Sequence, residues 1–358
     1  MKELEKYKSE IQKCSKCGLC QAVCPVYKLT GNECAVSKGK FIMLEGVLNG
    51  DLNLTETVNK YMNMCSHCGK CKDFCPSGIN PVEIFSVAKY SYAMKNKSSR
   101  LKFFMHSEKI FNTLLKMFES FNKKIFKQET FFNTGTKRIL YFKGCANKLN
   151  GQNNVDLISL ITKIDGMNLI ESDFDCCGIP FLSAGNIERY NRAKKHNLEI
   201  LHNSVYDYII TDCASCQAAL KDYDEKLNVI NFAEFLKIYP LNFYADKPIK
   251  VTFHKPCHLK NYNDVKQLLV SIKNVEYVEM EDFDECCGFC GEFALKNPKI
   301  SAKLMKTKGD NVLKTNADIV LTACPACLIG LKLGGLLVGK RLKVMNITQF
   351  LAQKNLCT

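Results

Sequence analysis

No tryptophan occurs in the 358 residues, prolines number nine, and no apolar run approaches the roughly 18 residues that a membrane-spanning helix needs. The Met1-Lys2-Glu3 start has no apolar signal-peptide core, so a cytoplasmic chain is expected, with a peripheral place on the inner face of the membrane left open. No G-x-G-x-x-G lies at a strand end and no Walker motif is present, so neither a bound flavin nor NAD is expected. The basic residues are not accompanied by helix-turn-helix, RRM or zinc-finger spacing, which argues against nucleic acid as a partner.

What is present is an ordinary globular composition, 46% hydrophobic and 24% charged, carrying 21 cysteines. In a chain without a secretory leader such cysteines are expected to be reduced and to hold metal. The formal charge of +14 counts each cysteine as neutral. A cubane iron-sulfur site carries about −2, so much of the lysine excess is expected to balance metal-sulfur charge.

The same cysteine pattern occurs twice. Cys145, the Cys176/Cys177 pair, Cys213 and Cys216 recur as Cys257, the Cys286/Cys287 pair, Cys324 and Cys327, at offsets of 112, 110, 111 and 111 residues. Offsets this regular mean a duplicated unit, and a period this long means two domains. One zinc needs four ligands, and adjacent thiolates reach it only with strain, so five cysteines suit a multi-iron cluster better. A pair of buried cysteines plus a zinc-binding C-x-x-C is the plainer alternative.

The N-terminal region holds Cys14-x2-Cys17-x2-Cys20-x3-Cys24-Pro25 and Cys65-x2-Cys68-x2-Cys71-x3-Cys75-Pro76. This is the two-cluster ferredoxin run, in which the fourth cysteine of each run ligates the other cluster. Cys14, Cys17, Cys20 and Cys75 are thus expected at one [4Fe-4S] cubane, and Cys65, Cys68, Cys71 and Cys24 at its neighbour. The 40 residues between the runs, with helices expected over 38–48 and 55–64, point to a helical ferredoxin. Cys34 falls outside both runs and reads as a core residue, and Cys357 as incidental.

A helix over 81–94 should close this domain. Residues 100–132 then carry phenylalanines at helical spacing among lysines, which suits either a membrane-surface or partner-docking helix or a linker packed on the next domain. Each repeat alternates strand and helix: strands over 138–142, 168–172 and 208–212, then 251–254, 275–280 and 318–322; helices over 153–165, 187–203, 264–272 and 300–314. The cysteines follow strand C-termini, where a doubly wound sheet places its ligand site. Helix N-termini at Cys213 and Cys324 should favour thiolate there. His254 and His258, spaced i, i+4 around Cys257, are candidate proton donors or hydrogen-bond partners of a cluster. The other histidines carry no comparable signal.

The stretches Tyr141-Phe142-Lys143-Gly144-Cys145, His254-Lys255-Pro256-Cys257-His258-Leu259, Cys286-Cys287-Gly288-Phe289 and Cys324-Pro325-Ala326-Cys327 resemble the CCG domain found in the B subunit of heterodisulfide reductase. With the ferredoxin fused in front, the chain resembles the D subunit of heterodisulfide reductase. It is equally similar to the iron-sulfur subunits of glycolate oxidase and of anaerobic glycerol-3-phosphate dehydrogenase (its C subunit), while lactate-utilisation iron-sulfur proteins share the CCG part. It departs from the pattern at Cys290, where glycine is usual, and at Lys255, where aspartate is common.

The resemblance implies an α+β multidomain chain: an all-α two-cluster ferredoxin domain over 1–97, a basic amphipathic helical linker over 98–135, and α/β (Rossmann-like) CCG domains over 136–246 and 247–358. It implies two cubane [4Fe-4S] clusters and one or two noncubane [4Fe-4S] clusters, the latter at the five-cysteine sets. It further implies an electron-transfer subunit that takes electrons from a flavoprotein dehydrogenase oxidising a 2-hydroxy acid or glycerol 3-phosphate, and passes them toward membrane quinone or a cytochrome. The alternative it carries is a catalytic subunit that reduces a disulfide at noncubane clusters.

Overall fold

The computed structural model describes residues 2–96, 135–145 and 151–356, with the backbone alone for 151–155 and 355–356. The stretch 100–132, His106 and Cys357 lie outside the described residues.

The N-terminal part is all helical: α1 (Lys2–Glu5), α2 (Lys8–Gln12), α3 (Leu19–Ala22), α4 (Pro25–Thr30), α5 (Ser37–Asn49), α6 (Glu56–Asn63), α7 (Lys70–Asp73) and α8 (Pro81–Lys95). Helix α5 turns Phe41, Leu44 and Val47 inward, and α8 meets it with Ile84, Phe85 and Ala88; the Phe41 and Phe85 rings lie 5.3 Å apart. Thr55 caps α6 by accepting from the Val58 N–H. Pro81 opens α8 at a position where its missing N–H has no intrahelical partner to lose.

The first repeat runs β1 (Lys137–Tyr141), α9 (Gly151–Ile161), β2 (Met167–Glu171), α10 (Ile179–Ala184), α11 (Ile187–Asn203), β3 (Tyr208–Thr211), α12 (Ala214–Tyr223), β4 (Val229–Asn231) and α13 (Phe232–Ile238). The second runs β5 (Phe243–His254), α14 (Tyr262–Ser271), β6 (Lys273–Tyr277), α15 (Gly291–Lys296), α16 (Pro298–Lys314), β7 (Ile319–Thr322), α17 (Pro325–Leu337), β8 (Val344–Asn346), α18 (Ile347–Ala352) and β9 (Asn355–Leu356).

Both sheets share one topology, β2-β1-β3-β4 and β6-β5-β7-β8, all parallel, with β9 added antiparallel to β5. Successive connections leave β1 to one side and then the other, and do the same at β5. The C-terminal ends of β1 and β3, and of β5 and β7, therefore flank a topological switch point. That crevice receives the cysteines in each repeat.

The two sheets are packed into one unit. A single buried cluster runs from Ile139, Tyr141 and Ile210 to Val251, Phe253 and Leu321, and each fully buried side chain of this kind contributes roughly 1.5–3 kcal/mol. At the crevice, the Ala214 N–H donates to the Ala323 carbonyl at 2.8 Å and Asn346 Nδ2 to the Asp212 carbonyl at 3.2 Å.

The ferredoxin part docks onto both repeats. Lys28 and Lys70 pair with Glu285 at 2.6 and 3.4 Å, and Lys89 Nζ donates to the Ser183 carbonyl at 2.9 Å. Partly exposed ion pairs of this kind contribute about 0–1 kcal/mol each. Most of the docking stability therefore comes from the apolar contact of Val26, Ala35 and Met64 with Phe293 and Leu304.

Candidate metal centres

The ferredoxin cysteines are gathered into two neighbouring cavities of about 30 Å³ each. One is lined by Cys14, Cys17, Cys20 and Cys75, the other by Cys65, Cys68, Cys71 and Cys24, so each draws its fourth cysteine from the opposite run. Cys71 and Ser37 border both. The two loops have matching backbones: Lys16 and His67 both have positive φ, 58° and 53°, and so do Gly18 and Gly69, 85° and 74°. This alternation turns successive N–H groups inward, a concavity that suits an anionic cluster.

Buried cations stand beside these thiols. Lys40, 2% exposed, donates to the Ala35 and Met64 carbonyls at 2.5 and 3.3 Å and lines the second cavity. Lys89 is within 3.2 Å of His67 Nε2, and burial pushes its ammonium down to about 8. Lys308 donates to the Asp282 carbonyl near Cys286 and Cys287. None of the three has a carboxylate hydrogen-bond partner among these contacts. Buried cations so placed fit a thiolate cluster that carries net negative charge.

Both five-cysteine sets open onto one cavity of about 150 Å³. Cys145, Cys177, Cys213 and Cys216 line it from the first repeat; Cys257, Cys286, Cys287, Cys324 and Cys327 line it from the second, with Cys290 beside them. Cys176 stands behind, its Sγ 3.2 Å from that of Cys145, and Cys287 and Cys327 are 3.4 Å apart. Both separations exceed the roughly 2.05 Å of a disulfide, so these sulfurs are gathered together as hydrogen-bonded thiols. The twenty described cysteines are all free thiols. The donor chemistry, reduced thiols gathered around cavities, fits iron-sulfur centres.

In the absence of metal the thiols share charge unevenly. Cys177 is pulled down to about 5 by hydrogen bonds from Cys176 and Cys216, and Cys286 is pulled well down by Cys257 and Cys287. Cys324 is also held low, by Cys213 and then Cys327. At Cys213 the Cys216 hydrogen bond lowers the thiol, but the Cys324 contact and burial outweigh it and the thiol goes up. The two helix N-termini thus do not act alike: Cys213 and Cys324 touch across the repeat interface, and Cys324 takes the charge.

Gly178 and Gly288, which follow the paired cysteines, have φ of 79° and 82°. A Cβ at Gly288 would lie 2.8 Å from the Ser301 carbonyl oxygen, which is backbone; at Gly178 it would lie 2.6 Å from the Tyr190 ring, which can turn aside. Gly288→Ala is therefore expected to lower stability by about 3 kcal/mol, combining left-handed strain with overpacking, and Gly178→Ala by less. A denaturant midpoint for Gly288→Ala equal to the parent's would contradict this.

The two candidate histidines occupy different places. His258 joins three parts of the chain: Nε2–H donates to the His67 carbonyl at 3.1 Å, which leaves Nδ1 to accept from the Ser215 hydroxyl at 3.0 Å. Ser215 Oγ is also 3.8 Å from Cys324 Sγ, so one hydroxyl proton has two acceptors. His254 is fully buried at the end of β5, and burial, with Lys308 adding, holds its imidazole down to about 3. A hydrogen bond with the Phe283 backbone acts in the opposite direction and is outweighed.

Several neighbours were not legible in the chain. His67, one residue from Cys68, is buried between the second ferredoxin cavity and the shared one, and Ser66 borders both. Burial pushes the Cys68 thiol well up, and Cys286 adds to it, so the ferredoxin and the second repeat meet at these sulfurs. Cys290 and Cys24 both pack against the apolar cluster that joins the ferredoxin to the second repeat. Cys34 is half-buried and borders none of these cavities.

Residues 139–221 and 251–332 each match the model of the cysteine-rich CCG domain, and residues 10–79 match a 4Fe-4S dicluster domain. This chain belongs to the CCG-domain iron-sulfur proteins. Among curated members of known sequence it is similar to the B subunit of fumarate reductase (CoM/CoB) from Methanothermobacter marburgensis, 30% identical over 82% of this chain, and spans 62% of that subunit's length. It is 25% identical to the "Probable glycolate oxidase iron-sulfur subunit" of Bacillus subtilis, covering 91% of this chain and 89% of that one. It is also 25% identical to the D subunit of dihydromethanophenazine:CoB–CoM heterodisulfide reductase from Methanosarcina barkeri, over 89% and 87%. A crystal structure of a hypothetical protein from Helicobacter pylori has the same fold, with a TM-score of 0.53 at 10% identity, covering 89% of this chain and 67% of that one. These curated relatives are named as subunits of oxidoreductases, and the chain carries the CCG and 4Fe-4S dicluster domains. Among the described residues, no helix is long and apolar enough to cross a membrane.

Proposed function

We propose that this chain is the electron relay of a respiratory flavoprotein complex, taking electrons from a dehydrogenase that oxidises a 2-hydroxy acid such as lactate or glycolate, or glycerol 3-phosphate, and passing them toward membrane quinone or a cytochrome. The observation that carries the reading is the file of three adjoining cavities. The first shares Cys71 and Ser37 with the second, and the second shares Ser66 with the cavity between the repeats. Clusters bound there supply single-electron steps, which a two-electron hydride donor cannot make by itself.

In this reading Cys14, Cys17, Cys20 and Cys75 hold one cubane, Cys65, Cys68, Cys71 and Cys24 the next, and the two five-cysteine sets hold noncubane clusters. Cys17 is exposed, so the first set faces the outside, while seven of the ten CCG cysteines are buried at the other end of the file. The chain's own groups keep the order fixed: His258 ties the loop of the second cubane to the interface of the repeats, and Lys40, Lys89 and Lys308 hold positive charge beside the sulfurs. The complex sits in the cytoplasm, peripheral on the inner face of the membrane.

A second reading is supported by the size of the shared cavity, five times that of either ferredoxin cavity, and by its apolar wall at Phe289, Ile179 and Pro180. That is more room than two clusters of ferredoxin size require. It suits a substrate sulfur compound, such as a disulfide, reduced there with His258 and Ser215 delivering protons.

Anaerobic affinity purification of the tagged chain from its own cells separates the two. The relay predicts that flavin co-purifies and is bleached by lactate, glycolate or glycerol 3-phosphate. A flavin-free preparation that reduces a disulfide with reduced viologen would overturn it in favour of the second reading.

A further inference from the structure

The duplicated repeats differ in the charge they bury behind the paired cysteines. Helices α11 and α16 are both 17 residues long and stand 111 residues apart in the chain, so Asn197 of the first repeat corresponds to Lys308 of the second. Both side chains are buried, at 0% and 2% exposure, and both reach into the loop that leads to the cysteine pair. Asn197 Oδ1 accepts from the Asp175 N–H at 2.8 Å, and its Nδ2 donates to the Cys176 carbonyl at 3.2 Å. Lys308 Nζ donates to the Asp282 carbonyl in the corresponding loop. One repeat thus keeps an amide where the other keeps an ammonium. A carbonyl does not neutralise an ammonium, and burying one is costly unless negative charge stands near.

Sulfur stands near. Ser301, Leu304, Met305 and Lys308 share one buried face of α16. That face packs on the Cys286-Cys287-Gly288 turn: Ser301 Oγ donates to the Gly288 carbonyl at 2.9 Å, and a Cβ at Gly288 would lie 2.9 Å from that of Leu304. Cys286 and Cys287 both act on the Lys308 ammonium, alongside Glu285 and Asp282. Glu285 is already paired with Lys28 at 2.6 Å and with Lys70 at 3.4 Å, and Asp284 with Lys70 at 3.2 Å, so the ferredoxin neutralises this acidic loop from its own side. Asp282 is exposed, and solvent screens it. The charge of Lys308 is therefore left to the sulfurs. Arg189, buried on α11, lies about two turns before Asn197, against the Phe181 ring at 3.8 Å.

We propose that Lys308 sets the order in which the two CCG centres take electrons: its charge raises the potential of the second repeat's centre above that of the first, where the equivalent side chain is the neutral Asn197. The inference rests on the reading that both five-cysteine sets hold iron-sulfur centres. Net charge is among the quantities that set a cluster's potential. A unit charge within about 10 Å, at an effective dielectric of about 20, shifts a one-electron equilibrium roughly tenfold. The second set is also the one whose Cys257 and Cys286 adjoin Cys68 of the neighbouring ferredoxin cavity. An electron shared with the ferredoxin therefore rests on the second centre before the first. Lys308 acts on that centre through its field and not as a ligand.

The test is a potentiometric titration of the full chain, isolated anaerobically and followed by low-temperature electron paramagnetic resonance. The second centre is the signal that Cys287→Ser removes, and the first is the one that Cys177→Ser removes. In the parent chain the second centre is expected to be reduced at the higher potential. Lys308→Gln, which can still donate to the Asp282 carbonyl, should lower the ratio of reduced to oxidised second centre about tenfold at a fixed poise, 59 mV for a one-electron couple, and leave the first centre where it was. Lys308→Arg, which keeps the charge, should hold the parent value, and Asn197→Lys should raise the first centre. A second centre reduced below the first in the parent, where no variant has to fold, would overturn the proposal. So would a shift in Lys308→Arg as large as that in Lys308→Gln, which is the mark of packing and not of charge. Iron analysis of Cys287→Ser separates the proposal from the reading beneath it. Iron lost with the two potentials in the reverse order removes the role of Lys308 alone, and iron unchanged from the parent removes the second cluster as well.

Discussion

Cys287→Ser is expected to remove about four of roughly sixteen iron atoms per chain and leave both ferredoxin signals in place. Cys287 is buried, sits 3.4 Å from Cys327 and shares a hydrogen bond with Cys286, so serine there takes away the thiolate at the middle of the second set. Cys177→Ser should do the same to the first set, where Cys177 carries the charge that its neighbours donate to. The ferredoxin cavities are walled by their own helices and are bordered by neither residue. Because Cys213 and Cys324 touch across the repeats, each change is expected to perturb the spectrum of the surviving CCG centre without emptying it. Iron content with low-temperature electron paramagnetic resonance reads both effects. Loss of all four signals from either substitution would refute the independence of the sites.

Cys24→Ser should mimic Cys68→Ser rather than Cys20→Ser, although Cys24 stands four residues from Cys20 and 44 from Cys68. The crossing follows from the helix that Cys24 caps. Pro25 opens α4 and starts a new direction, so the Cys24 thiol enters the cavity of Cys65, Cys68 and Cys71, beside Lys40. Cys75 crosses in the opposite sense into the cavity of the first run. The cluster lost with Cys24 is therefore the one adjoining the repeats, and electron transfer from the ferredoxin to the CCG sites should fall at least tenfold. A Cys24→Ser spectrum superposable on that of Cys20→Ser would show that the runs do not exchange their fourth ligands.

The features legible in the chain itself are those with a repeating signal. The cysteine runs and the 111-residue repeat place the sulfurs at strand ends, and the expected strands at 138–142, 168–172 and 208–212 differ from β1, β2 and β3 by one residue at most at each end. The strand expected over 275–280 falls earlier, at Lys273–Tyr277, because β6 is a half-exposed edge strand whose apolar residues do not mark its limits. Strand β5 begins at Phe243, well before 251; Lys247-Pro248 interrupts its apolar pattern, and its early part is paired with β9 from the far end of the chain.

Helices α10 and α15, six residues each, are too short to show a period, yet they form the wall on which the ferredoxin docks. Burial of Lys40 and Lys308 on long helices was likewise not legible, because a lysine at such a position ordinarily points to solvent. Its cause is tertiary: the helix faces are covered by other elements and by the charge of the sites they line. His67 carries no sequence signal as a histidine inside a ligand loop, since its contacts with Lys89 and with His258 join residues 22 and 191 positions away.

The most direct test of the central claim is the iron, zinc and acid-labile sulfide content of the chain isolated under strict exclusion of oxygen. Eighteen cysteines in four sets predict about sixteen iron and about sixteen sulfide per chain, without stoichiometric zinc. Zinc near one per set with no sulfide would contradict the iron-sulfur relay at every site.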